Sequence, residues 1–275
     1  MKPVLILSAT HKVKGLLRSL SLNTVCEDSR CPNIGECFSS GTATFMIMGD
    51  TCTRACTFCN LKRGKPAPPN PEEPYNLLQA VRKLGLKYVV LTSPTRDDLP
   101  YGGAEHFYAC VRVLKDNIPD IRVEVLVPDF KGNHQALEIV LSAKPDVLAH
   151  NIETVPRLYH RVRIGSKYER SLEILQEAKK LAPHIPTKSA LILGFGERWE
   201  EILQVLRDLR KVQCDLITIG QYYQPSRNHH PVVKHYTDEE FEELEAFARS
   251  LGFKGVACGA HVRSSYRAFE LSLFL

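Results

Sequence analysis

Nowhere in the 275 residues does an uncharged apolar run approach the ~20 residues a membrane-spanning helix requires. The opening MKPVLILSATHK holds only four consecutive apolar residues, 4–7, too few for the core of a secretory signal. Charge is not one-sided either. Lys and Arg total 36 against 31 Asp and Glu, a net +5, which lacks the concentrated basic surface of a dedicated nucleic-acid binder. There is no Walker loop, low-complexity tract or repeat longer than one βα unit. With 44% hydrophobic and 24% charged residues, the chain belongs to neither the disordered nor the membrane class. Together these absences predict a cytoplasmic globular protein with neither a nucleic-acid nor a membrane partner. They also make its nine cysteines conspicuous, because reducing cytosol disfavours disulfides and six of the nine fall between positions 26 and 59. In that compartment a cysteine cluster points to metal or catalysis before it points to bridges.

From residue 43 onward, short β-branched runs alternate with helical patterns. Strands are predicted at 43–49, 88–93, 123–129, 147–153, 187–194, 216–222 and 255–259, and helices at 72–84, 103–117, 133–143, 169–181, 198–212 and 238–251. The strands read as continuous apolar runs, as expected for parallel strands covered by helices. Thr237 with Glu240 three residues on reads as a capping box opening the last helix, and Gly252 closes it. The fold class is therefore α/β. Seven strands fall short of a full (β/α) barrel, so an incomplete parallel barrel is expected, with an open doubly wound sheet as the alternative. Residues 1–42 do not follow the alternation and are expected to form an irregular extension. Residues 62–74 carry five prolines and are expected to be extended.

Cys52, Cys56 and Cys59 form C-T-R-A-C-T-F-C directly after the first of these strands, where parallel barrels place catalytic groups. Three thiols on one loop without a fourth suit a four-iron cluster with one open iron, whereas structural zinc wants a closed set of four. Zinc or plain buried thiols are the alternatives. Cys-x3-Cys-x2-Cys with an aromatic residue, here Phe58, before the last cysteine resembles the radical S-adenosylmethionine superfamily. That resemblance implies an open iron binding S-adenosylmethionine, and adenine contact at the Phe58 backbone. It also implies ribose contact by Asn151 and Glu153 at the end of the fourth strand; capping or loop satisfaction is the competing role for those two.

Cys26, Cys31 and Cys37 form a second triplet, C-E-D-S-R-C-P-N-I-G-E-C, and Arg263-Ser264-Ser265-Tyr266 comes after the last predicted strand. By spacing alone the triplet could be a labile zinc site or surface thiols, and the Ser-Ser pair an ordinary turn. The two triplets, the R-S-S-Y tail and linking runs such as G-T-A-T-F-M-I-M-G-D-T-C-T-R, R-D-D-L-P and N-I-E-T-V-P-R-L-Y are together similar to the lipoyl synthase family, over positions 26–266. The resemblance implies two [4Fe-4S] clusters. One is held by Cys52, Cys56 and Cys59; the other, a sulfur donor, by Cys26, Cys31, Cys37 and the oxygen of Ser265. No side chain is assigned as a catalytic acid or base.

The implied reaction inserts sulfur at C6 and C8 of an octanoyl chain on a lysine of a lipoyl carrier domain or the glycine-cleavage H protein, with electrons from a donor such as ferredoxin or flavodoxin. The implied organisation is an N-terminal extension at 1–42 with the second-cluster ligands, a radical S-adenosylmethionine partial barrel at 43–260, and a tail at 261–275. A radical methylthiotransferase with another substrate is the alternative enzyme, and an iron–sulfur electron carrier the alternative from outside enzymology. Cys258 and His261 depart from the family pattern, as do Thr95 and Tyr101 beside R-D-D-L-P. Phe45, Tyr222 and Tyr223 are candidates for lining the barrel mouth or for core. Arg157, Arg161, Arg163 and Lys167 form a basic run that is either a solvated face or a surface steering an acidic carrier. Cys110 and Cys214 are expected in the core.

Overall fold

The computed structural model describes residues 7–28, 33, 44–266 and 268–274. The chain forms two compact units, Met1–Thr53 with Asn60–Asp146, and Arg54–Cys59 with Val147–Leu275.

The first unit begins with a helix, Leu7–Ser19, followed by β1 (Asn23–Thr24), which pairs antiparallel with β2 (Thr44–Met46). The N-terminal extension is thus not wholly irregular, a correction to the sequence expectation. Its helix was obscured by the basic residues of Leu7–Ser19, although Val13, Leu17 and Leu20 recur at helical spacing and are buried. A short parallel pair, β3 (Thr51–Cys52) and β4 (Lys62–Arg63), stands apart from the main strands. β2, β5 (Tyr88–Thr92) and β6 (Arg122–Leu126) then run parallel, with Thr44 opposite Val90 and Tyr88 opposite Arg122. β2 and β5 are buried along their whole length, which accounts for their continuous apolar runs.

Helices Glu73–Leu84, Ala104–Asn117 and His134–Ser142 connect these strands, each within a residue or two of its predicted bounds. The first starts with Pro74, whose missing N–H costs nothing in the first turn, and stops at Gly85 in the left-handed region. Asn133 caps the third by accepting the Ala136 N–H at 3.2 Å. Residues 64–70 carry no regular element, as the prolines require.

The second unit holds β7 (Val147–Ala149), β8 (Thr187–Leu193), β9 (Leu216–Gln221) and β10 (Gly255–Gly259) in parallel sequence order. Helices Tyr168–Leu181, Trp199–Lys211 and Asp238–Ser250 connect them. The capping box is present: Thr237 Oγ1 accepts the Glu240 N–H at 3.2 Å and the Glu240 carboxylate accepts the Thr237 N–H at 2.9 Å. β7 ends four residues earlier than predicted, because the chain leaves the strand before Asn151 and returns only as an isolated bridge between Glu153 and Leu191.

The tail lies directly on β9. A Cβ at Gly220 would sit 2.0 Å from the Val262 carbonyl oxygen, so only glycine admits the tail at this height. Cys110 and Cys214 are fully buried, and burial raises both thiol pKa values; for Cys214 the rise is to about 12. No helix among the described residues is long and apolar enough to cross a membrane.

Candidate active site

In the first unit, the turn between β2 and Cys52 is held from several sides. Met48 adopts φ 65°, and its N–H donates to Glu73 Oε2 at 2.8 Å, an oxygen that also meets His106 Nε2 at 2.7 Å. Arg96, which is fully buried, donates to the Met48 carbonyl at 3.3 Å and forks onto Asp98 at 2.8 and 2.9 Å. That hydrogen bond lowers the Asp98 pKa. Gly103 leaves room for the Met48 side chain, whose sulfur would be 2.4 Å from an added Cβ.

Beyond the turn, Asp50 takes Lys62 Nζ at 2.5 Å and Thr51 Oγ1 at 3.0 Å, and the Lys62 bond lowers its pKa. Thr53 donates through N and Oγ1 to the Thr95 carbonyl, at 3.1 and 2.9 Å, and accepts the Asp97 N–H at 3.1 Å. The R-D-D-L-P run is therefore a clamp on the chain entering the cysteine loop. Cys52, on β3, is half-buried.

Cys26 is buried in the same unit beside Thr24, whose Oγ1 accepts the Cys26 N–H at 3.2 Å and donates to the Thr44 carbonyl at 2.9 Å. Cys31 and Cys37 lie outside the described residues.

The second unit carries the rest of the loop. Thr57 N–H donates to the Val162 carbonyl at 3.0 Å, Thr57 Oγ1 to the Arg161 carbonyl at 2.9 Å, and Arg54 Nη1 to Ser166 Oγ at 3.0 Å. His230 N–H closes the other side on the Thr57 carbonyl at 2.9 Å. Cys56 and Cys59 are half-buried, and Cys59 N–H donates to the Cys56 carbonyl at 3.3 Å. Phe58 packs on Phe195 with ring centroids 5.8 Å apart, and Phe195 in turn on Tyr222 at 4.5 Å. Tyr222 is buried with a hydroxyl that has no partner among the described residues. Its pKa rises to about 12, through burial first and then the nearby Cys59. Of the three mouth candidates, Phe45 and Tyr222 are buried and Tyr223 is exposed, and Tyr222 is the one near Cys59.

Asn151 and Glu153 come together as expected, with Asn151 Nδ2 donating to Glu153 Oε1 at 3.0 Å. Asn151 Oδ1 and Glu153 Oε2 are buried and have no hydrogen-bond partner among the described residues. Unsatisfied buried acceptors cost of order 1–3 kcal/mol each, so a structure that retains two side by side has a use for them. Glu153 is held at φ 64°, unusual for a side chain of its size, and desolvation raises its carboxyl pKa against the opposing pull of Arg163, Asn151 and Arg263. The pair thus presents acceptors without competing protein donors, which suits a diol such as a ribose.

Ser265 is half-buried in a turn closed by the Tyr266 N–H on the Arg263 carbonyl at 3.1 Å. Arg263 lies over the Tyr223 ring at 5.4 Å, and Tyr223 stacks on His261 at 6.0 Å. Cys258 is half-buried at the end of β10, with burial raising its pKa, which speaks against a reactive thiol.

The basic run needs correction. Arg157, Arg161 and Lys167 are exposed, but Arg163 is buried and belongs to no solvated face. Arg157 is itself committed, forking onto Glu201 at 2.7 and 2.9 Å. Arg163, Arg96 and the Glu73–His106 pair are support residues that composition could not reveal, since a buried arginine and a surface arginine look alike in sequence.

Seven cysteines fall among the described residues and none is in a disulfide. No three His, Cys, Asp or Glu side chains among those residues gather tightly enough for a single metal ion. The donor set of Cys52, Cys56 and Cys59, three thiols without a fourth, suits an iron–sulfur cluster better than the closed four of structural zinc.

Residues 46–209 match the family model described as "Radical SAM superfamily". The fold agrees: the crystal structure of methylornithine synthase (PylB) superimposes with a TM-score of 0.60 at 15% identity, covering 87% of this chain and 73% of that one. The chain belongs to the radical S-adenosylmethionine superfamily, and its α/β fold with a mostly parallel sheet is that of the class. Within the class the likeness narrows. The lipoyl synthase of Aquifex aeolicus is 62% identical over 270 residues, 98% of each chain, and that of Nitrosospira multiformis 54% identical over 259 residues, 94% of this chain and 82% of the relative. The chain is a member of the lipoyl synthase family, and an iron–sulfur cluster and S-adenosylmethionine follow from that membership.

Proposed function

We propose that this enzyme inserts two sulfur atoms, at C6 and C8, into an octanoyl chain held in amide linkage on a lysine of a lipoyl carrier domain or a glycine-cleavage H protein. What carries the reading is coverage: 62% identity over 98% of both chains takes in both cysteine triplets and the Arg-Ser-Ser-Tyr tail. In this reading Cys52, Cys56 and Cys59 hold one [4Fe-4S] cluster, and Cys26, Cys31, Cys37 and Ser265 hold a second.

The target carbons are unactivated methylenes that no side chain of tuned pKa can deprotonate. The bound cluster and S-adenosylmethionine supply one-electron chemistry able to take a hydrogen atom from such a carbon, and the protein supplies position. Asn151 Oδ1 and Glu153 Oε2 accept hydrogen bonds from the ribose hydroxyls, and the Phe58 backbone meets the adenine. The loop is fixed by Thr57 and Arg54 on residues 161–166, and by Thr53 on residues 95–97. Ser265 offers the second cluster an oxygen donor, harder than thiolate and so the weaker ligand for iron, which suits a cluster that gives up sulfide. A low-potential donor of the ferredoxin or flavodoxin type supplies electrons.

The test is anaerobic incubation of the reconstituted protein with S-adenosylmethionine, reductant and an octanoylated carrier peptide. Expected are 5′-deoxyadenosine and a peptide carrying two added sulfurs; absence of both overturns the reading. Ser265→Ala is expected to keep 5′-deoxyadenosine formation and lose sulfur insertion, and full sulfur insertion by this variant would remove Ser265 from the ligand set.

A further inference from the structure

Arg163 is nine-tenths buried, and none of the roles above employs it. Its guanidinium donates to the Asn151 carbonyl at 2.7 Å, the Tyr159 hydroxyl at 3.0 Å and Ser171 Oγ at 3.0 Å, and lies over the Tyr159 ring at 5.5 Å. Every one of those hydrogen-bond acceptors is neutral. Burying a guanidinium costs several kcal/mol unless an anion answers it.

Of the ionisable groups that face it, the Tyr159 phenol comes first but is kept neutral by burial, which leaves two on different elements: the Glu153 carboxyl beyond β7, and Cys56 on the cysteine loop. The backbone fixes the second. Thr57, which follows Cys56, donates to the carbonyl of Val162, which precedes Arg163, so the cation and the thiol are carried by two segments hydrogen-bonded to each other. Ion pairing takes Arg157 out of the same run, and Arg161 is exposed, leaving Arg163 as the member of the run whose charge is turned inward.

We propose that Arg163 is a positioning residue whose buried charge raises the reduction potential of the iron–sulfur cluster bound through Cys56. The inference rests on the reading that Cys52, Cys56 and Cys59 hold that cluster. Reduction adds one electron, drawn from a low-potential iron–sulfur or flavin protein, and neither forms nor breaks a bond to the protein. It makes the cluster more negative by one unit, and a fixed cation in a medium of low dielectric stabilises the reduced form more than the oxidised one. The same guanidinium holds the Asn151 carbonyl, so it also braces the proposed nucleoside-binding turn.

The experiment is a dye-mediated anaerobic redox titration of the reconstituted holoenzyme, read by electron paramagnetic resonance, with iron content measured on each sample. Arg163→Gln is expected to retain wild-type iron and to make reduction about tenfold less favourable, a midpoint about 59 mV more negative for one electron. Arg163→Lys, which keeps the charge, should recover most of that shift, while Arg157→Gln and Arg161→Gln should leave the midpoint in place. A wild-type midpoint in Arg163→Gln overturns the proposal.

If Arg163→Gln fails to hold iron, Glu153→Gln carries the test. Removing the anion that competes for the guanidinium should move the midpoint upward, and an unmoved midpoint overturns the proposal as well. A wild-type protein with no reducible four-iron signal would instead overturn the parent reading of the Cys52, Cys56 and Cys59 site, and this inference with it.

Discussion

The turn that delivers Cys52 in the first unit is anchored by acid–base pairs that answer one another: Glu73 with His106, Arg96 with Asp98, Asp50 with Lys62. The loop that delivers Cys56 and Cys59 in the second unit is anchored by backbone carbonyls and hydroxyls, and the groups around it are left unanswered. Among the described residues those groups are two orphaned acceptors, on Asn151 and Glu153, and the unpartnered Tyr222 hydroxyl. Satisfied polar groups hold a scaffold in place, whereas unsatisfied ones persist where something else is meant to bind. The comparison puts the ion pairs of the first unit's turn on the supporting side and makes the second unit's orphaned acceptors the candidates for ligand contact, although the first unit also holds a buried hydroxyl, Ser93 Oγ, with no partner among the described residues. It also says where substitutions should cost stability and where they should cost binding.

The largest effect is expected at the thiol itself. Cys56→Ala should abolish 5′-deoxyadenosine formation and lower the iron content by about half if each triplet holds one cluster of equal size. Colorimetric iron with the product assay checks this, and a variant that still cleaved S-adenosylmethionine would remove the loop from catalysis.

Next comes the scaffold side. Glu73→Ala strips the partner from the buried Met48 N–H and from the half-buried His106 ring, and an orphaned buried group costs about 1–3 kcal/mol. A loss of about 3 kcal/mol in urea unfolding is expected, with S-adenosylmethionine affinity unchanged in protein that remains folded. Weakened nucleoside binding without a stability loss would reverse the assignment of this pair to support.

The contrast between the units also bears on what could be read in advance. All seven main strands and the six helices between them were legible, because most of the strands are apolar runs buried on both faces and the helices carry a 3.6-residue pattern, some with a recognisable cap such as Gly85, Asn133 or Thr237. Both triplets and the R-S-S-Y tail stood out by residue type and spacing, and the ligand roles proposed for them come from the family resemblance. The supports were not. Glu73 and His106 are 33 residues apart, Arg96 and Met48 are 48 apart, and Arg163 sits in a run that reads as surface charge. The left-handed backbone at Glu153 was equally hidden, since no turn residue marks it and tertiary packing alone imposes it. Helix Leu7–Ser19 was within reach through the spacing of Val13, Leu17 and Leu20, and the basic residues around them concealed it.

A smaller and more selective effect is expected on the ligand side. Glu153→Gln keeps an oxygen for Asn151 Nδ2 but replaces a carboxylate oxygen aimed at the ligand with a competing amide donor or a neutral acceptor. S-adenosylmethionine affinity should fall about tenfold, close to 1.4 kcal/mol, with iron content and urea midpoint unchanged. Equilibrium binding to the reconstituted protein reads this out. A stability loss of the same size with intact affinity would place Glu153 among the supports.

The smallest effect is expected at Arg157, which shares a sequence run with Arg163 but not its surroundings. Arg157 forks onto Glu201 at the surface, and that hydrogen bond, the leading cause, lowers the Glu201 pKa to about 2. A folded pKa below the usual carboxylate value means the pair adds stability at pH values above the unfolded carboxylate range. The contribution is lost as the pH falls through that range toward 2. Because both side chains are partly solvated, the contribution is under about 1 kcal/mol. Arg157→Gln should therefore lower stability slightly at pH 7 and not at all near pH 2, with the difference shrinking in high salt. Urea unfolding of both proteins across that pH range checks it. A penalty that survived at low pH would mean that Arg157 acts mainly through its other hydrogen bond, to the Gly196 carbonyl at 2.8 Å, and is a structural anchor after all.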